Sequence, residues 1–279
     1  MPDVSRTLLL VHAHPDDEVL ASGATMAHHA CLGDRVVLVT CTRGELGEIV
    51  AADLAHLDQE ALGEHRAGEL ATACRALGVS DQLFLGGAGR FRDSDMVGRP
   101  GNEDPRSFWQ AELSEAANAL VEVLDREQPD VVITYDANGG YGHPDHIKAH
   151  LTTHEAVRRA THQVRKVYEM ALPTSFVQQG IDLLAAAGHP GAFFGLEKAE
   201  DLPFTVADEQ VTTMVDGSAQ LAAKRAALQA HRSQISPEDP LMLLTQLEGA
   251  GGFGMEFYTL VRGELGPRGE QGWETDLFA

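Results

Sequence analysis

Positive charge is scarce in this chain: its 279 residues carry 21 Lys+Arg against 42 Asp+Glu, a formal net charge of −21 at pH 7. Phosphate backbones are held by basic surfaces, so nucleic-acid binding is not expected of it. Docking on anionic membranes draws on the same basic patches and is not expected either. Long apolar runs are also absent, none approaching the ~20 residues that cross a bilayer. The opening Met1-Pro2-Asp3-Val4-Ser5-Arg6 lacks the layout of a signal peptide, because the apolar stretch after it is short and runs straight into polar residues. Cysteine is limited to Cys31, Cys41 and Cys74, an odd number without C-x-x-C spacing. They read as small buried residues in a reducing compartment, which argues against a disulfide framework or a zinc knuckle. The expectation is a soluble cytoplasmic protein, long enough for one large core or a main domain with a smaller lobe.

What the chain does have is alternation of apolar runs with amphipathic stretches, the pattern of βαβ units. Strands are expected at 7–11, 35–40, 82–85, 131–134 and 166–172, and helices at 19–31, 59–77, 108–127 and 143–159. Gly78 is placed to stop the second helix. Residues 86–105 form a Gly-, Arg- and Asp-rich loop, and loops of that length in a compact domain are functional or disordered. The predicted fold is α/β, a Rossmann-like, mostly parallel sheet flanked by helices over 1–172, with a smaller C-terminal lobe, 173–279, covering the site. In that second part a helix at 218–231 and a strand at 256–261 are expected. Residues 249–254 match G-x-G-x-x-G, but they follow a helix-like segment and precede a strand-like one. That order is the reverse of the dinucleotide fingerprint, and a flexible loop is the better reading.

The densest chemistry lies in two clusters. One is His12-Ala13-His14-Pro15-Asp16-Asp17-Glu18, directly after the first apolar run; the other is Tyr141-Gly142-His143-Pro144-Asp145-His146, after the run 131–134. Open α/β sheets bind ligands outside the carboxyl ends of their strands, and both clusters fall there. His14 and Asp17 converge if Asp17 begins a helix, a start that Pro15 suits. With His146 they make a two-His, one-carboxylate set that leaves positions open for water and substrate. These donors suit Zn²⁺ and accept Fe²⁺. Asp16, not needed as a ligand, is placed to take a proton from water. His143 could donate to the leaving group, with Asp145 holding its imidazolium, and Tyr141 could hydrogen-bond an oxyanion.

Each residue also has a plainer reading. The three acidic residues favour a helix N-terminus. His12 is a satisfied strand histidine, while His28, His29, His150, His154 and His162 are surface residues of helices. The i+4 series His146, His150, His154 weighs less as a metal stripe than as a solvated helix face. Two clusters on two strand exits, each with spare acid–base groups, tip the balance to catalysis.

The pair His14-Pro15-Asp16-Asp17-Glu18 and His143-Pro144-Asp145-His146 resembles the signature of the LmbE/PIG-L zinc-dependent N-acetylglucosaminyl deacetylases. Several further segments are similar to the branch of that family acting on N-acetylglucosaminyl-inositol in mycothiol biosynthesis. They are Thr40-Cys41-Thr42 with Gly44-Glu45 and Gly47-Glu48, residues 85–90 with Arg92-Asp93-Ser94, Tyr135-Asp136 with residues 138–142, and residues 272–277. The resemblance is dense through about residue 172 and returns at the C-terminus, while 173–206 depart from it. It implies one Zn²⁺ per subunit, with Fe²⁺ as the alternative, on His14, Asp17 and His146. It further implies Asp16 as general base, His143 as electrophile or general acid modulated by Asp145, and Tyr141 on the oxyanion side. Arg66 and Asp93 would contact the sugar and inositol hydroxyls and Glu48 would line the pocket, since Arg donates in a fork and Asp accepts from paired hydroxyls. The implied partner is a small amino-sugar inositol, deacetylated to acetate and free amine; oligomeric state is not implied. A mycothiol S-conjugate amidase is the same-class alternative, against which residues 86–92 weigh, and a non-catalytic sugar- or nucleotide-binding module is the other.

Overall fold

The structure is a computed structural model that describes residues 6–247 and 253–279; the readings made at residues 1–5 and at the loop 249–252 lie outside the described residues. In chain order the elements are β1 (Thr7–His12), α1 (Asp17–Cys31), β2 (Arg35–Thr40), α2 (Gln59–Leu77), β3 (Asp81–Phe84), α3 (Leu113–Glu127), β4 (Val131–Thr134) and the kinked turn α4 (Gly139–Gly142). They continue with α5 (Pro144–Arg159), β5 (Lys166–Ala171), α6 (Thr174–Ala186), β6 (Thr213–Asp216), α7 (Leu221–Ala230), α8 (Pro240–Leu244) and β7 (Met255–Arg262).

The strands form one sheet in the order β3-β2-β1-β4-β5-β7-β6. The first five are parallel, and β7 and β6 are added antiparallel. A parallel sheet needs cover on both faces, which is why β1 and β2 are continuous apolar runs. Leu8 and Leu10 face one core with Val19 and Met26 of α1, Leu70 of α2 and Leu228 of α7. Leu9 and Val11 face the other, with Leu120 and Leu124 of α3 and Val157 of α5. The chain leaves β1 toward β2 on one side and reaches β4 on the other. A crevice therefore opens at their carboxyl ends, where both His/Asp clusters lie.

Local signals set most boundaries. Asp58 caps α2 by accepting the Ala61 amide at 2.9 Å, and Gly78 ends it in the left-handed region at φ 72°. The start of α3 is the main shift, at Leu113 rather than 108. Phe108 is fully buried against Phe91, with ring centroids 5.2 Å apart. Its amide donates to the Arg92 carbonyl at 2.8 Å, so this stretch belongs to the long loop and not to the helix. Cys31, expected inside, is exposed at the end of α1, whereas Cys41 and Cys74 are buried.

Beyond residue 172, α6 and β6 appear where no element was expected. Strands β6 and β7 widen the common sheet. By contrast α6, α8 and the loop between α6 and β6 make a small cluster of their own around Val177, Ile181, Leu184, Phe193, Leu202 and Leu244. The boundary expected at 172/173 falls between β5 and α6, and the residues after it divide between sheet and cover. No described helix is long and apolar enough to cross a membrane.

Candidate active site

Asp17 opens α1, and its carboxylate is the centre of the first cluster. Its Oδ2 accepts the His14 amide at 2.8 Å and the Tyr135 hydroxyl at 2.7 Å. The same oxygen lies 3.2 Å from His14 Nδ1 and 3.3 Å from His146 Nε2. Tetrahedral donors ~2.0–2.1 Å from one zinc ion stand ~3.3 Å apart, so both separations suit a shared ion. His146 Nδ1 is 3.2 Å from the Gly139 carbonyl, which places the ring proton there. Its Nε2 is then a lone pair, buried and without a hydrogen-bond partner. His14 Nε2 meets Asp145 Oδ2 at 3.1 Å, so the other nitrogen of that ring is turned to Asp17. Burial alone would discharge His14, yet Asp93, Asp145 and Asp17 hold its pKa well above the usual value. Asp17 stays ionised well below the carboxylate range, because His146 and His14 outweigh its own burial. An orphaned lone pair and surroundings that favour positive charge fit a borderline divalent cation on His14, Asp17 and His146.

Asp16 is held in an unusual backbone state, φ 117° and ψ −32°. A residue with a Cβ adopts such a state at ~1–3 kcal/mol, so the surroundings must enforce it. The Asp16 amide donates to Glu18 Oε2 at 2.8 Å, and Glu18 Oε1 is 2.6 Å from His231 Nε2, just past α7. Both Glu18 and His231 are completely buried. From the other side Arg66 donates to the carbonyls of Pro15 and Gly44, each at 2.6 Å, and to Asp16 Oδ2 at 3.1 Å. Gly44, at φ 65°, lies so close to this guanidinium that a Cβ would collide with it. Burial, with Asp17 adding to it and Arg66 opposing, pushes the Asp16 carboxyl up to about 6. A carboxylate poised near neutrality has the strength that general-base work requires.

The second cluster is arranged differently from the expectation in one respect. Asp145 does not hold His143; its carboxylate takes His14 Nε2 together with the amide and hydroxyl of Ser94. His143 instead caps α5, its Nδ1 accepting the Asp145 amide at 3.1 Å. The physical reason is the helix start: the first amides of α5 need acceptors, and His143 Nδ1 satisfies one of them. That bond leaves the imidazole proton on Nε2. Burial, reinforced by His14 and His146, pushes the His143 pKa down to about 3, so the ring is neutral. Its centroid is 4.6 Å from that of His14 and 5.0 Å from that of His146. Tyr141, on α4, stands half-exposed at the mouth, edge-on to His146 at 5.0 Å.

The residues expected on the substrate lie mostly behind the site. Arg66 is 3 % exposed and committed to Pro15, Gly44 and Asp16. Asp93 is buried, accepting the amides of Asp95 and Leu46, with Oδ1 3.8 Å from His14 Nε2. Burial raises its pKa, but His14 and the Asp95 amide outweigh it and the net shift is downward. Glu48 is exposed, while its neighbour Glu45 is buried and accepts the Asp93 amide at 3.1 Å. Sequence reasoning named Tyr135, Ser94 and Glu45 only within segments of resemblance and gave them no role, and it did not single out His231, at the end of the expected helix 218–231; Glu18 was read only as an acidic helix start. Among the bystanders His12 is buried against Ser22 Oγ. His29 is also buried, not on the surface, paired with Asp34 at 2.8 Å.

Beside Asp17 and His146 a cavity of about 330 Å³ runs under the C-terminal cover. Asp17, Tyr141 and His146 line one end, and Phe176, Phe193 and Phe204 are part of its apolar wall.

Comparison with known proteins bears on what this arrangement does. The family described as PIG-L, GlcNAc-PI de-N-acetylase, matches residues 9–160. The 1D-myo-inositol 2-acetamido-2-deoxy-alpha-D-glucopyranoside deacetylase of Acidothermus cellulolyticus is 52% identical over 98% of this chain and 94% of its own. The protein of the same name from Geodermatophilus obscurus is 48% identical over 99% and 98%. Among solved structures, the N,N'-diacetylchitobiose deacetylase of Pyrococcus horikoshii shares the fold, with a TM-score of 0.58 and 21% identity over 92% of this chain and 84% of that one. The motifs, the fold and a likeness that runs nearly the whole length of these relatives lead to one conclusion: the chain belongs to the PIG-L family of GlcNAc-PI de-N-acetylases.

Proposed function

We propose that this chain hydrolyses the acetamide of 1D-myo-inositol 2-acetamido-2-deoxy-alpha-D-glucopyranoside with one bound zinc ion, releasing acetate and the free amine. The substrate is the one in the names of its relatives. The observation that carries the chemistry is the convergence of His14 Nδ1, Asp17 Oδ2 and His146 Nε2 beside a carboxyl, Asp16, pushed up to about 6.

When bound, the ion would polarise the acetyl carbonyl and acidify water. Asp16 takes the proton of the attacking water on its carboxylate. As the C–N bond breaks, the same carboxyl delivers that proton to the leaving nitrogen, giving acetic acid and amine, which at neutral pH separate as acetate and ammonium, without a net change in the protein. Neutral His143 donates its Nε2–H to the former carbonyl oxygen, and the Tyr141 hydroxyl donates from the mouth. This differs from a His143 that protonates the amine, because a ring whose Nδ1 is engaged by the Asp145 amide and whose pKa is pushed down to about 3 holds no second proton. Arg66 and Asp93 serve by fixing Asp16 and the surroundings of His14. A biosynthetic step on a small soluble amino-sugar fits a cytoplasmic enzyme.

The conjugate amidase reading has one observation in its favour, the apolar wall beside His146, which suits the apolar group of a thioether conjugate. Acetate release by metal-depleted enzyme reconstituted with Zn²⁺ or Fe²⁺, run against conjugate cleavage, tests the assignment. Zinc-restored acetate release well above conjugate cleavage is expected, with Asp16→Asn keeping its metal and losing ~10²–10⁴-fold in turnover. Normal turnover by metal-loaded Asp16→Asn would refute the base.

A further inference from the structure

We propose that His150, His154 and Glu169 form a second cation site, separate from the catalytic one, for a divalent metal of the zinc class. His150 and His154 lie one turn apart on α5, a spacing that puts both rings on one helix face. Their centroids are 4.3 Å apart. Glu169, on β5, meets that face: its Oε1 is 3.0 Å from His154 Nε2 and 3.3 Å from His150 Nδ1. Those separations are close to the ~3.3 Å between donors that share a tetrahedral ion. The Tyr135 carbonyl lies 3.0 Å from His150 Nδ1, a further oxygen beside that nitrogen.

In the metal-free chain, ring protons bridge these nitrogens to the oxygens that face them. Binding an ion needs the unprotonated nitrogen of each neutral ring, so the ring proton moves to the other nitrogen, Nε2 of His150 and Nδ1 of His154. Two imidazole nitrogens with one carboxylate select zinc, cobalt, nickel or copper, whereas magnesium and calcium take oxygen-rich sets. Access is open on one side, because the His154 side chain is 38 % exposed while those of His150 and Glu169 are 12 % and 16 %. An ion can enter there and keep water. The two sites are joined through one residue: Tyr135 offers its carbonyl here, and its hydroxyl holds Asp17 Oδ2.

Equilibrium dialysis of the full chain against micromolar Zn²⁺, with metal counted per chain, tests the site. Wild type is expected to hold two equivalents, and His154→Ala and the near-isosteric Glu169→Gln one each. His14→Ala, which disables the catalytic site, is also expected to hold one. The second equivalent should bind ~100-fold more weakly in both peripheral variants, the upper end of what the loss of even an outer-shell partner costs. Acetate release by His154→Ala carrying one equivalent should match wild type, and Co²⁺ substitution should add a second visible absorption that His154→Ala lacks. A second equivalent retained by both peripheral variants at near wild-type affinity overturns the proposal. So does a single equivalent in wild type that His14→Ala loses and His154→Ala keeps.

Discussion

His14 depends on a partner 131 residues away in the chain: the Asp145 carboxylate on its Nε2 fixes the ring so that Nδ1 faces Asp17. Carboxylates behind ligating histidines set tautomer and basicity, and their loss costs ~10–100-fold in metal affinity. Asp145→Asn is therefore expected to weaken zinc binding by that factor, read by competition with a chromogenic chelator, while fully loaded enzyme keeps most of its turnover. Unchanged affinity would return Asp145 to the expected role beside His143. The residues proposed to hold the metal could be named from the sequence because each sits at a strand exit within a dense motif. The direction of Asp145 was not, since adjacency in sequence says nothing about which of two nearby imidazoles a side chain at a helix start will reach. Arg66 and Asp93 show the same limit: their residue types suit hydroxyl recognition, but the sequence does not show that both are buried and hold protein groups, Arg66 the carbonyls of Pro15 and Gly44 and Asp93 the amides of Leu46 and Asp95.

At the scale of elements, the helices and strands of the first part follow from periodicity and capping. Residues 59–77 were readable to the residue, because α2 has an acidic cap at one end and a left-handed glycine at the other. Elements α6 and β6 were not, since α6 begins without a side-chain cap and β6 is four residues long. The contribution of α7 was hidden for another reason. Its final turn delivers His231 to Glu18, and Glu18 to the amide of Asp16, a contact 213 residues apart in sequence. Since misplacement by ~1 Å can cost ~10²-fold, His231→Gln is expected to lower kcat by ten- to a hundred-fold with KM nearly unchanged. Steady-state kinetics with metal content held equal checks this. A rise in KM alone would place His231 in substrate binding instead.

For the molecule as a whole, the C-terminal tail closes the structure through Glu274. This fully buried carboxylate accepts Lys166 Nζ at 2.5 Å, Tyr168 Oη at 2.6 Å, Thr213 Oγ1 at 2.9 Å and the Gly266 amide at 2.6 Å. Its burial raises the pKa, but Lys166 and Tyr168 lead the groups that outweigh it and hold it below the ordinary 4.5. A depressed carboxyl contributes stability that is full above its unfolded pKa and fades as pH falls through the folded value. Breaking such a pair leaves Lys166 buried alone, at ~3–5 kcal/mol. Glu274→Gln should thus lower the urea midpoint strongly at pH 7, and the gap to wild type should begin to narrow only as the pH falls below 4.5 toward the lowered folded value. A gap independent of pH would assign the loss to packing.

Sequence by itself determined the parallel core, the strand exits that carry the chemistry and the types of group gathered there. Those properties reside in local periodicity and in short motifs, where neighbouring residues already share an element. Only the tertiary structure decided which carboxylate orients which imidazole, what strains Asp16, and that the C-terminal strands join the same sheet. Each of these is a contact between residues far apart in the chain, set by packing and by the need to satisfy every buried polar group.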